Sequence, residues 1–562
     1  MISFINTDFS LCSIFKPDDM KNQCILCDNN LSGAVEYYKA CQDKGLKPII
    51  GYRGEEIYIA RTKSDYNELL DAYSNDRIPD VLTIVGAPFG ELANLVTESY
   101  FPYEPKEDAW EVAKKYLKQF EGKDIRLALS PYEGDAYKAL NELLTDLAER
   151  LTLDTCLVDD VRYVSDKAVQ NDIEYEPHKD HQILVCHRTK KTVDDFEKMD
   201  DEYKRYFLSN QYFPQDWSDR PGYAETQKIV DSVENFEILA EPQLPEFENG
   251  DEVLTNLARE GWKNRGLSTV ENWREYRDRI KEEIRVISKS GFSAYFLVLE
   301  DVCRWIDEQG WMRGHGRGSA GGCLISFLTG ITKVDPLEYD LLFERFFSED
   351  RAKARQLPDI DIDVPKFKRQ DIFTYLQDRY GHDSVAQMVT FAAFQGRSAL
   401  TATLKFNDAC SFSEIKEITG LLPKKDKVED QMDAVGEHSL IRWTLEYLPE
   451  KLSNYARLEN GQVVGDYANE FEQAIRLEKV KTETSKHASA IIVYNGKIRD
   501  VCPMIKDKSS DEKITGFSMS DGEAVGLVKL DLLGLATLDK LMLINELLEE
   551  KYGRDSVQQE KL

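Results

Sequence analysis

The chain has 562 residues, enough for three or four domains, and its 42% hydrophobic and 31% charged residues are typical of a globular protein. No apolar run approaches the roughly 18 residues of a membrane span, no secretion signal is visible, and the ten cysteines are scattered singly, so we predict reduced thiols in the cytoplasm. The net charge of −30 argues against a protein that coats nucleic acid electrostatically, but it does not exclude an enzyme with one basic channel.

Short apolar runs alternate with helical patterns over residues 1–160, which is the rhythm of an α/β domain. The predicted elements are a helix over 33–41 and strands over 24–27, 48–51, 81–85, 125–129 and 155–158. Residues 187–250 are polar and rich in Asp, Tyr and Pro, and we predict that they form an irregular segment between domains.

A glycine-rich loop over 313–322 follows a helical pattern over 251–308 and precedes an apolar helix over 323–329. Glycines let an anion approach the backbone, and a following helix N-terminus would add free N–H donors, so the loop predicts a phosphate site. A dinucleotide-binding loop should follow a strand rather than a helix, and the Lys of a P-loop is missing. Arg317 and Ser319 supply a forked cation and a hydroxyl, which suit a triphosphate.

Asp alternates with Ile or Val over 357–364, and this period of two predicts a β-strand. Asp359, Asp361 and Asp363 would then share one face at intervals of about 6.6 Å, with the isoleucines between them facing a core. Three carboxylates on one face repel one another, and a divalent cation such as Mg²⁺ would remove that repulsion. A solvated edge strand with an acidic outer face explains these residues alone equally well.

A second alternating stretch over 526–531 places Lys529 and Asp531 on one face of a predicted strand. Taken singly, this stretch predicts only a strand. Beside the glycine-rich loop and the aspartates, it offers a further carboxylate and a cation.

Together these stretches resemble the C-family of bacterial replicative DNA polymerases, the DNA polymerase III alpha subunits. The similarity follows the chain in order through 316–319, 335–346, 358–363, 380–385, 390–391, 486–488 and 527–535. It implies an α/β and α+β multidomain protein that acts as a DNA-directed DNA polymerase, a nucleotidyltransferase of DNA replication. The implied domains are a degenerate PHP-like domain at 1–240, a palm of the polymerase-beta type at 241–395 and 483–562, and an inserted helical thumb at 396–482.

The resemblance also implies roles for individual residues. The family's metal-binding aspartates match Asp359, Asp361 and Asp531, which would hold two Mg²⁺ ions, or Mn²⁺, for two-metal catalysis. The positions expected to contact the triphosphate are Gly316, Arg317, Gly318, Ser319, Arg345 and Lys529. The further candidates are Arg351, Asp363, which would support the metal site, and Lys486 and His487, which would lie near primer or nucleotide.

The PHP-like region departs from the pattern of active family members. Where they carry His-x-His, residues 4–6 read Phe-Ile-Asn, and where they carry Asp-His, residues 28–29 read Asp-Asn. Residues 160–162 replace a later histidine-bearing motif, and no histidine precedes His178. We therefore predict that this region lacks metal-dependent phosphoesterase activity.

The resemblance stops just past the palm, so the family's fingers, clamp-binding region and OB-fold are not matched. The helix predicted over 535–551 carries many apolar residues, as expected of a face that meets a partner. We expect a split polymerase whose partners are primer–template DNA, dNTPs and a second chain with the fingers and C-terminal domains, with a sliding clamp reached through that chain. A truncated, non-catalytic replication scaffold is the alternative, and a dinucleotide-dependent enzyme is a third.

Overall fold

The computed structural model describes residues 2–5, 25–27, 31–87, 90–97, 105–131, 135–160, 167–170, 173–198, 217–348 and 358–552. The chain forms two compact units. The first unit comprises Met1–Ile238 and Phe391–Ser485, and the second comprises Leu239–Thr390 and Lys486–Leu562. This mixed α/β, multidomain architecture confirms the predicted fold class, whereas the boundaries of the thumb and palm stay a prediction.

Strands and helices alternate along much of the chain. The strands are β1 Ile2–Ile5, β2 Ile25–Cys27, β3 Gly51–Arg53, β4 Ile57–Ile59, β5 Leu82–Val85, β6 Ile125–Leu129, β7 Thr155–Asp160, β8 Ala168–Gln170, β9 Ile173–Tyr175, β10 Asp361–Pro365, β11 Val385–Ala393, β12 Arg457–Glu459, β13 Gln462–Val464, β14 Lys481–Val493, β15 Met504–Lys506, β16 Lys513–Thr515 and β17 Val528–Leu535. The α-helices are Ala34–Asp43, Lys63–Ser74, Glu91–Val96, Ala109–Leu117, Asp135–Leu151, Pro177–Thr189, Val193–Glu197, Tyr223–Ser232, Gly250–Asn264, Trp273–Lys289, Ser293–Glu308, Leu324–Leu328, Arg369–Tyr380, Gly396–Phe406, Phe412–Leu421, Glu429–Val435, Leu440–Tyr447, Pro449–Leu452, Ala468–Leu477, Met519–Ala524 and Ala536–Tyr552. None of the helices in the described part of the chain combines the length and apolar character needed to cross a membrane.

The first unit contains a seven-stranded sheet in the order β2-β1-β7-β6-β5-β4-β3. Its central strands are parallel, whereas β3, β4 and β5 pair antiparallel. The apolar runs of β5 and the end of β6 are buried, as expected for parallel strands covered on both faces. The strand predicted over 48–51 begins only at Gly51, because Pro48 has no N–H and the N–H of Ile49 donates to the Tyr37 hydroxyl at 3.0 Å.

The same unit contains a helical layer with its own apolar core. Residues of Pro177–Thr189 share this core with residues of Gly396–Phe406 and Ala468–Leu477. A buried bidentate ion pair joins Arg476 Nε to Asp180 Oδ2 at 2.6 Å and Arg476 Nη2 to Asp180 Oδ1 at 2.9 Å.

The prediction that residues 187–250 are irregular is wrong in part. The structure contains the helices Val193–Glu197 and Tyr223–Ser232 within this range. The second helix buries Thr226, Ile229 and Val230 on one face, a helical spacing that the surrounding polar residues obscure in the sequence.

The second unit is built on a six-stranded sheet in the order β10-β17-β14-β11-β16-β15. The pattern over 251–308 correctly predicted helices, which are Gly250–Asn264, Trp273–Lys289 and Ser293–Glu308. Their apolar residues form one core with the buried side chains of β10 and β17. The polar faces of these two strands carry the side chains of the candidate site.

Candidate functional site

The aspartate motif adopts the predicted alternation. Ile360, Ile362 and Val364 are buried, while Asp361 and Asp363 are half-buried. The strand itself begins at Asp361, so Asp359 precedes it. β10 pairs in parallel with β17, and this register sets Asp361 directly opposite Asp531. The pairing therefore brings together carboxylates that are far apart in sequence, because opposite residues of a parallel pair share a face.

Lys529 lies among the carboxylates of this face. Its Nζ donates to Asp531 Oδ2 at 2.7 Å and is 3.7 Å from Asp359 Oδ1. Burial alone would lower the pKa of Lys529, but the hydrogen bond and charge of Asp531 raise it above its ordinary value. Burial also raises the pKa of Asp359, and Lys529 opposes this effect. Asp531 Oδ1 accepts a second hydrogen bond, from Ser489 Oγ at 3.1 Å.

Arg317 of the glycine-rich loop approaches the same strand. Its Nη2 is 3.0 Å from Asp361 Oδ1, and its Nε is 3.5 Å from Asp363 Oδ1. The hydrogen bond to Asp361 raises the pKa of Arg317. The loop comes this close because position 314 is a glycine, whose N–H donates to the Asp363 carbonyl at 2.9 Å. A Cβ on Gly314 would stand 2.7 Å from Asp363 Cβ, so a larger residue would push the loop away.

The glycine-rich loop has the backbone that its sequence requires, since Gly316 and Gly318 have φ values of 120° and 64°. Ser319 lies on the 3-10 turn Gly318–Gly322. The prediction of free donors at the next helix is wrong. The N–H groups of Leu324 and Ile325 donate to Glu283 Oε1 and Oε2 at 3.1 and 2.9 Å, so they are already occupied.

The remaining predicted residues differ in their relation to the carboxylates, and His487 is affected by the charge of Asp531. His487 Nδ1 accepts from the Ala490 N–H at 3.0 Å, and burial lowers the pKa of His487, with Asp531 opposing that shift. Lys486 Nζ pairs instead with Glu512 Oε2 at 3.1 Å. Arg345 is exposed on the turn Phe343–Arg345, and Arg351 lies outside the described residues.

The carboxylate oxygens of this face are the candidate ligands for a metal ion. Among the residues that the structure describes, no three His, Cys, Asp or Glu side chains are close enough to share one ion. In this conformation Arg317 pairs with Asp361 and Lys529 pairs with Asp531, which offsets part of the negative charge of the carboxylates. Carboxylate oxygens are nevertheless the ligands that Mg²⁺ prefers, and the side chain of Asp359 is 64% exposed and already interacts with Asp531. The carboxylate oxygens thus suit Mg²⁺, provided that Arg317 and Lys529 leave the carboxylates to bind an anionic ligand.

The sequence did not identify three residues of this site. Ser489 orients Asp531 and follows directly after the motif at 486–488, so a longer motif would have included it. Tyr295 holds the strand through its hydroxyl, which accepts from the Ile360 N–H at 3.3 Å. Burial raises the pKa of Glu523, which interacts with Lys529 and Asp359. Tyr295 lies far from the motifs in sequence. Glu523 lies just before the stretch at 526–531 but is not part of its alternating pattern, so neither residue gave a signal.

Known families and proteins match nearly the whole chain. Residues 252–534 match the family described as the bacterial DNA polymerase III alpha NTPase domain, and residues 10–121 match the PHP domain. The DNA polymerase III alpha subunit of Aquifex aeolicus is 27% identical, and the alignment covers 94% of this chain and 49% of the relative. That of Borreliella burgdorferi is 28% identical over 93% of this chain and 46% of the relative. The chain therefore spans about half the length of the relatives it matches.

Proposed function

Since this chain belongs to the bacterial DNA polymerase III alpha family, we propose that it catalyses the template-directed addition of deoxynucleotides to a primer 3′ end. The observation that carries the proposal is the register of β10 and β17. It sets Asp361 beside Asp531, with Arg317 and Lys529 against them. A face that combines carboxylates with two cations suits a substrate that brings both metal ions and phosphates.

Asp359, Asp361 and Asp531 are the residues proposed to hold two Mg²⁺ ions. When bound, the ions would lower the pKa of the primer 3′-hydroxyl and stabilise the charge of the triphosphate and the leaving pyrophosphate. Ser489 keeps Asp531 oriented through its hydroxyl. Asp363 supports the site by holding Arg317 and the glycine-rich loop next to the strand.

Arg317 and Lys529 are proposed to move from the carboxylates to the triphosphate. In this structure each of them satisfies a carboxylate that would otherwise repel its neighbours. A nucleotide with its metal ions would supply positive charge to the carboxylates and negative charge to the cations, so both sets of groups would keep a partner. Ser319, Arg345 and the backbone near Gly316 and Gly318 are the further proposed triphosphate contacts.

One observation favours a non-catalytic role instead. The carboxylates already have cationic partners from the chain itself, as they would in a structural ion-pair network. A scaffold of this kind should tolerate replacement of Asp359, whereas a polymerase should not.

We further propose that a second chain resembling the fingers and C-terminal part of the family completes the enzyme. The net charge of −30 supports this proposal, since duplex affinity depends on lysines and arginines. The helix Ala536–Tyr552 supports it too, because its residues Leu543, Ile544 and Leu547 are 52%, 50% and 64% exposed. Such apolar exposure is typical of a protein-binding face.

Primer extension by the purified chain, with and without the candidate partner, tests both proposals. We expect little or no extension by residues 1–562 alone and template-directed extension when the partner is added, because the base pair needs a surface that closes over it. Leu547→Lys should abolish the rescue, and Glu549→Lys on the same helix serves as the control. Processive synthesis by the chain alone would contradict the two-chain proposal, and no extension under any condition would contradict the polymerase proposal.

The PHP-like region is predicted to lack phosphoesterase and proofreading exonuclease activity. Asn6 and Asn29 stand where the family's active members have histidines, and both lie outside the described residues. The measurement is release of 3′-terminal nucleotides from single-stranded DNA by the full chain in Mg²⁺, Mn²⁺ and Zn²⁺. Release that persists after Asp361→Asn and is abolished by chelation would show that this region is an active nuclease.

A further inference from the structure

A buried carboxylate supports the glycine-rich loop from the helix Trp273–Lys289. The Glu283 side chain is fully buried and accepts the N–H groups of Leu324 and Ile325, the first two residues of the helix that follows the loop. The Sγ of Cys323 also lies 3.4 Å from Glu283 Oε2. A buried carboxylate is stabilised only when such donors surround it. Several contacts to Glu283 therefore fix the position of residues 323–325.

Arg279, one turn earlier on the same helix, completes this arrangement. Its Nε donates to Glu283 Oε1 at 2.7 Å. Its Nη2 donates to the Gly322 carbonyl at 2.9 Å and to the Leu341 carbonyl at 3.2 Å. One guanidinium therefore joins the glycine-rich loop to the segment 335–346, which carries Arg345.

The two joined segments are in direct backbone contact. A Cβ on Gly322 would stand 2.7 Å from the Leu342 carbonyl oxygen, so no larger side chain fits between them. The end of the loop is therefore closely packed against the segment 335–346. The ion pair holds both at the point where they meet.

We propose that Glu283 and Arg279 are positioning residues for the nucleotide triphosphate. They fix the two segments so that Arg317, Ser319 and Arg345 are presented together. Because the amides of Leu324 and Ile325 are committed to Glu283, the phosphates are bound by side chains and by the loop backbone near Gly316 and Gly318 rather than by the helix N-terminus. This inference rests on the proposed polymerase function and assigns residues that do not touch the substrate.

The test uses Glu283→Gln and Arg279→Lys in the full chain, with Glu282→Gln as the control. Glu282 is the exposed neighbour of Glu283 on the same helix. Calorimetry with Mg²⁺ and a non-hydrolysable dNTP measures nucleotide affinity. Titration of a labelled primer–template with the protein measures DNA affinity. We expect both positioning variants to bind the nucleotide about 10-fold or more weakly, since small displacements of binding groups are costly. Primer–template affinity should change less than about 2-fold, and Glu282→Gln should match the wild type in both assays.

Each other outcome decides against the inference. Wild-type nucleotide affinity in either folded variant would overturn it, as would an equal loss of nucleotide and DNA affinity, which indicates general destabilisation. If neither variant folds, judged by circular dichroism, the two residues serve stability alone. If the wild type binds no nucleotide with Mg²⁺, the polymerase proposal itself fails. In that case the wild-type titration identifies the failure before any variant is compared.

Discussion

Asp531→Asn is expected to reduce nucleotide addition on the order of 10³-fold, a loss comparable with removal of a group that stabilises charge in the transition state. Asp531 is buried, lies opposite Asp361 and holds Lys529, so its charge serves both the metal ions and the cation in our proposal. Asn has nearly the same shape and can still accept from Ser489, so the fold should persist. The measurement is single-nucleotide primer extension under conditions in which the wild-type chain is active.

Asp371→Asn is the matched control for this variant. Asp371 is exposed in the first turn of the helix Arg369–Tyr380 and pairs only loosely with Lys368, at 3.3 Å. Activity of this control should stay within about 2-fold of the wild type, as is usual for a surface substitution. Wild-type activity in Asp531→Asn would remove Asp531 from the catalytic site.

The second large effect concerns Glu56 and the stability of the first unit. Its buried carboxylate accepts the N–H groups of Gly86 and Leu92 at 2.9 and 2.8 Å. Burial raises the pKa of Glu56 from 4.5 to about 7, although these donors oppose the shift. Between about pH 4.5 and pH 7, the Glu56 carboxyl is therefore protonated in the folded state and ionised in the unfolded state. The stabilisation is complete below about pH 4.5 and is lost as the pH rises through about 7, at a cost of about 3 kcal/mol.

Thermal unfolding between pH 5 and pH 8 measures this effect in wild type, Glu56→Gln and Glu55→Gln. Gln cannot ionise, so Glu56→Gln should not lose this stability. As the pH rises, the melting temperature of the wild type should therefore fall relative to that of Glu56→Gln. Exposed Glu55 is the neighbouring control and should follow the wild type. An unchanged pH dependence in Glu56→Gln would show that Glu56 does not titrate in this range.

The sequence predicted those features that depend on local periodicity. The alternation at 357–364 and 526–531 predicted both strands of the site and which of their residues face the core, because side chains alternate between the faces of a strand. The first strand begins only at Asp361, so Asp359 lies before it. The motifs at 316–319, 358–363 and 527–535 indicated the family, and the match over residues 252–534 confirms it.

Contacts between distant segments could not be read in the same way. Nothing in the local pattern around Glu283 shows that it binds amides about 40 residues later, or that Arg279 reaches the Leu341 carbonyl. For the same reason, the helix N-terminus after the glycine-rich loop was expected to be free. Single polar residues become identifiable only when the fold brings their partners to them.

A calorimetric titration tests whether Asp359, Asp361 and Asp531 form one site for metal ions and nucleotide. A non-hydrolysable dNTP is titrated into the wild-type chain and into each Asp→Asn variant, with Mg²⁺ and with EDTA. We expect the wild type to bind the nucleotide only when Mg²⁺ is present, and each of the three variants to lose this binding. Unchanged metal-dependent binding in all three variants would contradict it.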